Sequence, residues 1–183
     1  MRVITGTARG RRLCAPEGLD VRPTTDKVKE GIFSSIQFRI QGASVLDLFA
    51  GSGQMGIEAL SRGAEKSIFV DSSSRSLKCI HDNLRTVGLE KQAEVISRDS
   101  YDYIKFTASD FDIIILDPPY RHGHIDKILP LAAKKLRRGG CIICEYESET
   151  DVPETPDGLI LHRTYKYGKI CVTVFLSPEE EEI

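Results

Sequence analysis

The chain has 183 residues, 40% of them hydrophobic, enough for one well-buried domain with a short appendage and too few for two. Net charge is only −2, yet Arg2, Arg9, Arg11 and Arg12 crowd the start while Glu179 to Glu182 close the chain, so the sum hides a basic arm able to neutralise phosphates. No run reaches the ~20 apolar residues of a membrane span, MRVITGTARGRR lacks the apolar centre of a secretory signal, and an odd number of cysteines points to free thiols, so a soluble cytoplasmic protein with no membrane partner is expected.

RVITGT and RRLCAP flank a turn centred on Gly10 and read as a short hairpin. From Thr24 or Thr25 as N-cap, TTDKVKEGIFSSIQFRI sets Val28, Ile32, Phe33, Ile36 and Ile40 at helical spacing. Strand and helix then alternate: SVLDLF, helix GQMGIEALSR, KSIFVD, helix SRSLKCIHDNLRTVG, QAEVIS, the short helix RDSYDYIKF, FDIIILD, helix HIDKILPLAAKKL, and GGCIICEY. These strands are continuous apolar runs, as in a parallel sheet covered on both faces. LILHRTYKYG and KICVTVFLS meet at Gly168 with no helix between them and predict an antiparallel hairpin at the far side of the sheet.

Three further stretches call for a reading. Residues 145 to 157, EYESETDVPETPD, carry six acids and no base and read as a solvated loop. Arg137 and Arg138 stand at a predicted helix end before Gly139, where the helix dipole favours them. Cys141 and Cys144 form a C-x-x-C, but three residues apart on a strand they point to opposite faces, and no second pair completes four ligands; they read as core, with no metal. The expected fold is α/β: a doubly wound, seven-stranded Rossmann-like sheet of the methyltransferase variety. It is mostly parallel, with a C-terminal antiparallel hairpin and an N-terminal β-hairpin, and divides into a basic arm (1–22), the main domain (23–178) and an acidic tail (179–183).

In an open parallel sheet, ligands gather at the carboxyl ends of the strands. Asp47, Asp71, Asp99 and Asp117 fall at four consecutive strand ends. One aspartate after a strand more often caps a helix; four in succession point to a site. In LDLFAGSGQMG, Gly51, Gly53 and Gly56 satisfy G-x-G-x-x-G, and Asp71 follows Gly51 by 20 residues, so a dinucleotide and S-adenosylmethionine both fit the glycines. Asp47, four residues before Gly51, disfavours a pyrophosphate and suits the cationic amino-acid end of S-adenosylmethionine.

Asp117-Pro118-Pro119-Tyr120 carries the chemistry. Two prolines in series hold the Asp117 carboxylate and the Pro118 carbonyl in set directions, as acceptors for the two N–H groups of a planar exocyclic amine. Such acceptors favour the positive charge that develops as the amine attacks a sulfonium methyl, and Tyr120 can stack on the base.

With LDLFAGSG, SRGA and DPPY in this order, the chain resembles the RsmD-type methyltransferases, which modify guanine N2 in bacterial small-subunit ribosomal RNA. ITGTARGRRL is similar to that family's basic hairpin, RPTTDKVKEGIFSSI to its R-P-T helix, GIEALSRGA to its G-I-E-A-x-S-R-G-A run, and TYKYGKICVTVF to its closing hairpin. The resemblance implies that Asp47, Gly51, Ser52, Gly53 and Asp71 hold S-adenosylmethionine, with Asp99 or Ser100 at the adenine. It places the target guanine at Asp117 to Tyr120, and 16S rRNA or the 30S subunit against Arg9, Arg11, Arg12, Arg22 and Thr24, the last two close to the cofactor. Lys27 and Lys29 replace commoner arginines, and Gln54 stands where a small residue is usual. His122 and His124, after DPPY, are within reach of RNA phosphate or simply solvated. A monomer without metal suffices. The alternatives are another exocyclic amine (adenine N6 in DNA or RNA, or a glutamine amide), a non-catalytic RNA-binding assembly factor, and an NAD-dependent oxidoreductase, which leaves DPPY unexplained.

Overall fold

The computed structural model describes residues 1–16, 25–118 and 124–179. Seven strands form one sheet in the order β3-β2-β1-β4-β5-β7-β6. They are β1 (Ser44–Leu48), β2 (Lys66–Asp71), β3 (Ala93–Ser97), β4 (Phe111–Leu116), β5 (Leu136–Glu147), β6 (Ile160–Tyr167) and β7 (Ile170–Leu176). β1 pairs in parallel with both β2 and β4, and only β7 runs against its neighbours, between β5 and β6. Chain order reverses between β1 and β4, which opens the crevice where such sheets take ligands.

Among the described residues five α-helices cover the sheet: α1 (Asp26–Ser35), α2 (Gln54–Ser61), α3 (Ser74–Val87), α4 (Ser100–Phe106) and α5 (His124–Ala133). Strand alternation sorts the core into two layers. Val45, Ile113, Ile115, Cys141 and Ile143 pack with Ile32 and Phe33 of α1, Ile57 of α2 and Ile80 of α3. Their sequence neighbours Leu46, Ile114, Leu116, Ile142 and Cys144 pack with Ile104 of α4 and Ile128 and Leu129 of α5. Cys141 and Cys144 thus lie on opposite faces, and burial raises both thiols, Cys141 to about 12. Among the described residues, no helix is long and apolar enough to cross a membrane.

Four local expectations need correction. The helix after Thr25 stops at Ser35, whose hydroxyl donates to the Ile32 carbonyl at 2.7 Å and competes with the backbone ladder; Ile36 and Ile40 reach the core through a 3-10 turn at Gln37–Arg39. The fifth strand begins at Leu136, so Arg137 and Arg138 sit on it, and Arg137 pairs with Asp112 of β4 at 2.9 Å. That strand also runs on through Glu147, which takes Glu145 and Tyr146 out of the expected solvated loop and buries both. The N-terminal hairpin is reduced to an isolated Arg2–Arg12 bridge, flanked by bonds between Val3 N–H and Arg11 O and between Leu13 N–H and Met1 O.

The reason the hairpin is short is that residues 4–8 bond to α2 instead. Glu58, fully buried on α2, accepts the main-chain N–H groups of Ile4 (2.8 Å) and Thr5 (3.1 Å). It also accepts from Arg62 at 2.8 Å and faces the Lys29 ammonium at 4.0 Å. Ser61 Oγ accepts from Ala8 N–H and donates to Thr5 O, while Lys29 donates to Arg2 O. Gly6, at φ +91°, lies so close that a Cβ there would stand 1.7 Å from Ser61 O. Further on, Asn83 of α3 binds both polar groups of Cys14 and donates to Ser52 O.

Glu58→Ala leaves a buried lysine and two main-chain donors without their acceptor, and is expected to cost about 3–5 kcal/mol. Equilibrium denaturation measures the loss, and hydrogen exchange at Ile4 and Thr5 should accelerate with it; unchanged exchange would mean that the segment is held by something else.

Candidate active site

The turn after β1 is shaped by backbone conformation and two acids. Phe49 takes the left-handed conformation at φ 62°, which is costly for an aromatic residue, and Gly51 and Gly53 follow at φ 56° and 75°. Asp71, at the end of β2, fixes the turn: Oδ2 accepts from Gly51 N–H and Oδ1 from Ser73 N–H, both at 2.8 Å. Asp47, on β1, accepts from Gly56 N–H at 2.9 Å, which seats α2 on the strand. Ser52 Oγ donates towards Met1 Sδ (3.5 Å), and Ser100 Oγ accepts from Phe49 N–H (3.3 Å). Asp47, Gly51, Ser52, Gly53, Asp71 and Ser100 are therefore drawn into one constellation at the carboxyl edge.

Asp99 caps α4 instead, accepting from Asp102 N–H at 3.0 Å, while its exposed side lines a cleft of about 540 Å³ with Phe49, Tyr101, His124, Lys127 and Ile128. Arg9, Arg11 and Arg12 are exposed and have no ion-pair partner among the described residues. No ion pair joins them to the aspartates among the described residues. Met1 and Cys14 lie at the glycine-turn end of α2, whereas residues 4–8 lie toward its far end, about 12 Å away at 1.5 Å per residue. Arg22, Thr24, Pro119, Tyr120 and His122 fall outside the described residues.

Asp117 follows the last residue of β4, and Pro118 beside it is buried. Asp47 and Asp117 have no ion-pair partner among the described residues. Burial pushes the Asp47 carboxyl up to about 7, with a further rise from Asp71 and an opposing effect from the Gly56 N–H. Burial also holds the Asp117 carboxyl well above the carboxylate range, reinforced by Glu145 and then Asp47. Among the described residues the edge concentrates acid with no cation paired to Asp47 or Asp117, and a cationic ligand would be drawn there.

Glu145 escaped the sequence reading because it was grouped with the acidic run that follows; its signal was its place directly after the apolar CIIC. Glu58, Ser61 and Asn83 escaped too, and there the signal was polar residues on the apolar faces of α2 and α3.

A family model described as Conserved hypothetical protein 95 matches residues 1–176. The chain is 42% identical over 180 residues to a Bacillus subtilis protein named "Putative rRNA methyltransferase YlbH", covering 96% of this chain and 98% of that one. It is 31% identical over 177 residues to the Ribosomal RNA small subunit methyltransferase D of Escherichia coli, covering 96% and 89%. The chain belongs to the RsmD-type family of ribosomal RNA methyltransferases. A solved structure, "Putative methyltransferase yhhF from Escherichia coli", matches with a TM-score of 0.88 at 29% identity, over 98% of this chain and 99% of that one. Lys29, Glu58, Ser61 and Arg62 lie within the RPTTDKVKEGIFSSI and GIEALSRGA stretches, and here they bind the N-terminal segment to α2.

Asp47 takes up a proton on folding at intermediate pH. Its stabilising contribution is fully present below the unfolded pKa of 3.8 and is lost as pH rises through about 7. Asp47→Asn, which keeps an acceptor for Gly56 N–H, should remove that dependence, worth at most about 4 kcal/mol over the interval. Denaturation midpoints between about pH 4 and 8 measure it; parallel curves for the two proteins would show that Asp47 stays ionised in the fold.

Proposed function

We propose that this protein transfers a methyl group from S-adenosylmethionine to the N2 amine of a guanine in 16S rRNA, with the 30S subunit or its rRNA as substrate. The observation that carries the reading is the set of acids at the β1/β4 crevice, Asp47 buried and Asp117 half-buried, with which no cation of the described residues pairs, in a chain of this methyltransferase family.

The residues present fit the cofactor. Each Asp71 oxygen spends one lone pair on a main-chain N–H and keeps another, and the half-exposed carboxylate is fixed in direction, as hydrogen bonding to ribose hydroxyls requires. Asp47 supplies negative charge for the cationic methionine end, the turn at Gly51, Ser52 and Gly53 lets backbone approach closely, and Asp99 and Ser100 border the space for the adenine. When bound, S-adenosylmethionine supplies an electrophilic methyl group on a sulfonium.

Catalysis by the protein's own groups is positioning. Asp117 and the Pro118 carbonyl orient the amine, Tyr120 stacks on the base, and Asp117 or water accepts the proton late. Arg9, Arg11 and Arg12, exposed on the N-terminal segment, grip phosphates flanking the target, and Arg22 and Thr24 contribute to substrate binding.

Transfer of labelled methyl to undermethylated 30S subunits, naked 16S rRNA and duplex DNA tests the reading. Label should appear in rRNA as N2-methylguanine and fall by about a hundredfold or more in Asp117→Ala. Label confined to DNA, or in adenine, would transfer the chemistry to another acceptor, and none despite cofactor binding would leave an assembly factor. Replacing Arg9, Arg11 and Arg12 with alanine should weaken rRNA binding and reduce its log–log salt slope by about two to three, measured by filter binding between about 50 and 200 mM salt.

A further inference from the structure

The closing hairpin carries a column of rings and cations that the crevice chemistry does not use. β6 is the outermost strand of the sheet, with one edge unpaired among the described residues. Its register with β7 slips between Leu161 and Arg163. Leu161 therefore pairs with Phe175 of the layer under α4 and α5, whereas Arg163, Tyr165 and Tyr167 pair with Val174, Val172 and Ile170 of the layer under α1. A bulge of this kind re-aims the side chains that follow it, and without the slip these three would face the other side of the sheet. Tyr165 and Tyr167 lie close to parallel, with ring centroids 6.2 Å apart and an interplanar angle of 14°, and the Arg163 guanidinium stands over the Tyr165 ring at 5.4 Å. On α1, a Cβ added to Gly31 would collide with the Tyr167 hydroxyl, so the glycine leaves the room that this ring occupies.

Register ties this column to the crevice. Leu116, Cys144, Thr173 and Thr164 form one row across β4, β5, β7 and β6, and β6 runs in the direction of β4, so Asp117 and Tyr165 each come one residue further toward the carboxyl edge. Three strand spacings separate them, about 14 Å, or roughly four stacked nucleotides at 3.4 Å each. Tyr167 and the two-residue turn Gly168-Lys169 lie beyond Tyr165 on that edge. The period of two sets Arg163 and Tyr167 on opposite sides of Tyr165, so the column ends in the outer face of the Tyr167 ring, and that residue is only half-buried. Arg163, Lys166 and Lys169 are exposed and join no ion pair among the described residues; nor does Glu147, level with Ile170 on β5. Rings beside unpaired cations are what single-stranded nucleic acid requires, since every base has a face to stack and every phosphate a charge to neutralise.

We propose that the column of Arg163, Tyr165 and Tyr167 is a stacking platform for RNA: a base from the single-stranded segment flanking the target guanine stacks on the outer face of Tyr167, and Arg163 and Lys169 take its phosphates. The inference rests on the function proposed above and gives the substrate a second grip on the β6 side of the crevice. Because the Tyr167 ring is already held parallel to Tyr165, little side-chain freedom is lost when a base extends the stack. An acidic protein segment would engage the cations and leave the ring face unused, whereas a nucleotide engages both.

Three variants of the whole protein test this. Tyr167→Phe keeps the ring, Tyr167→Leu keeps an apolar cover for the core and removes the ring face, and Arg163→Ala combined with Lys169→Ala removes the cations. In filter binding to naked 16S rRNA, Tyr167→Leu should weaken Kd about fivefold or more with the salt slope kept, and Tyr167→Phe should stay within about twofold of the wild type. The double alanine variant should lose about one to two from the log–log salt slope. Affinity for S-adenosylmethionine, measured by calorimetry, should be the same in all of them. Wild-type rRNA affinity in Tyr167→Leu, an equal loss in Tyr167→Phe, or a matching loss of cofactor affinity overturns the platform; the last two would make the ring part of the packing against α1 alone. Weakened binding to 30S subunits with unchanged binding to naked rRNA would move the surface to a ribosomal protein and overturn it as well. Ring-dependent rRNA binding by a wild-type protein that methylates no guanine would leave the platform standing and overturn the assigned reaction instead.

Discussion

One buried carboxylate organises the first third of the molecule. Glu58 sits in the middle of α2 with no exposure and receives donors from three separate stretches of chain: the ammonium of Lys29 on α1, the guanidinium of Arg62 on its own helix, and the main-chain N–H groups of Ile4 and Thr5. A charge buried this deeply is tolerated only when its lone pairs are occupied, so each donor is held in place by the cost of losing it. Lys29 passes the constraint on, because its ammonium also binds Arg2 O. The exposed arginines at positions 9, 11 and 12 are thereby carried on a segment fixed to the main fold.

The same helix connects that anchor to the crevice. Its middle and end hold the N-terminal segment through Glu58 and Ser61, and its first turn is held by Asp47 through Gly56 N–H. Gly56 is required there by space: a Cβ would stand 2.4 Å from the Phe69 ring on β2. Asn83 closes the circuit from α3, binding Cys14 on one side and the Ser52 carbonyl of the glycine turn on the other. The basic segment and the glycine turn are thus two ends of one polar scaffold.

Legibility in the sequence followed from how local the determining interaction was. The β-α alternation, the closing hairpin at Gly168 and the helix at Val28, Ile32 and Phe33 are set by apolar periodicity over a few residues, and the fold agrees with each. Asp47, Asp71 and Asp117 were legible because a parallel sheet places every strand end at one edge, whatever the loops do. The burial of Glu145 was not, since it depends on β5 continuing past Cys144 to pair with β7, a non-local event that composition does not reveal. The Glu58 network was hidden for a related reason. Its partners lie up to 54 residues apart, and nothing in the hairpin pattern shows that Ile4 and Thr5 would give their donors to a helix.

The molecule holds its inward-facing acids in two ways. At Glu58, three donors in the fold itself bind the carboxylate and the Lys29 ammonium faces it at 4.0 Å, and the result is rigid structure. At the β1/β4 crevice, no cation of the described residues pairs with Asp47 or Asp117; burial and the neighbouring acids hold the two aspartates toward the protonated form. The fold maintains that arrangement at a cost in stability, since apolar side chains would pack there without it. A positively charged group arriving in the crevice would reverse the balance, drawing protons out of the cluster and turning stored repulsion into attraction. The acids that weaken the unliganded fold would thereby favour a cationic ligand over an anionic one.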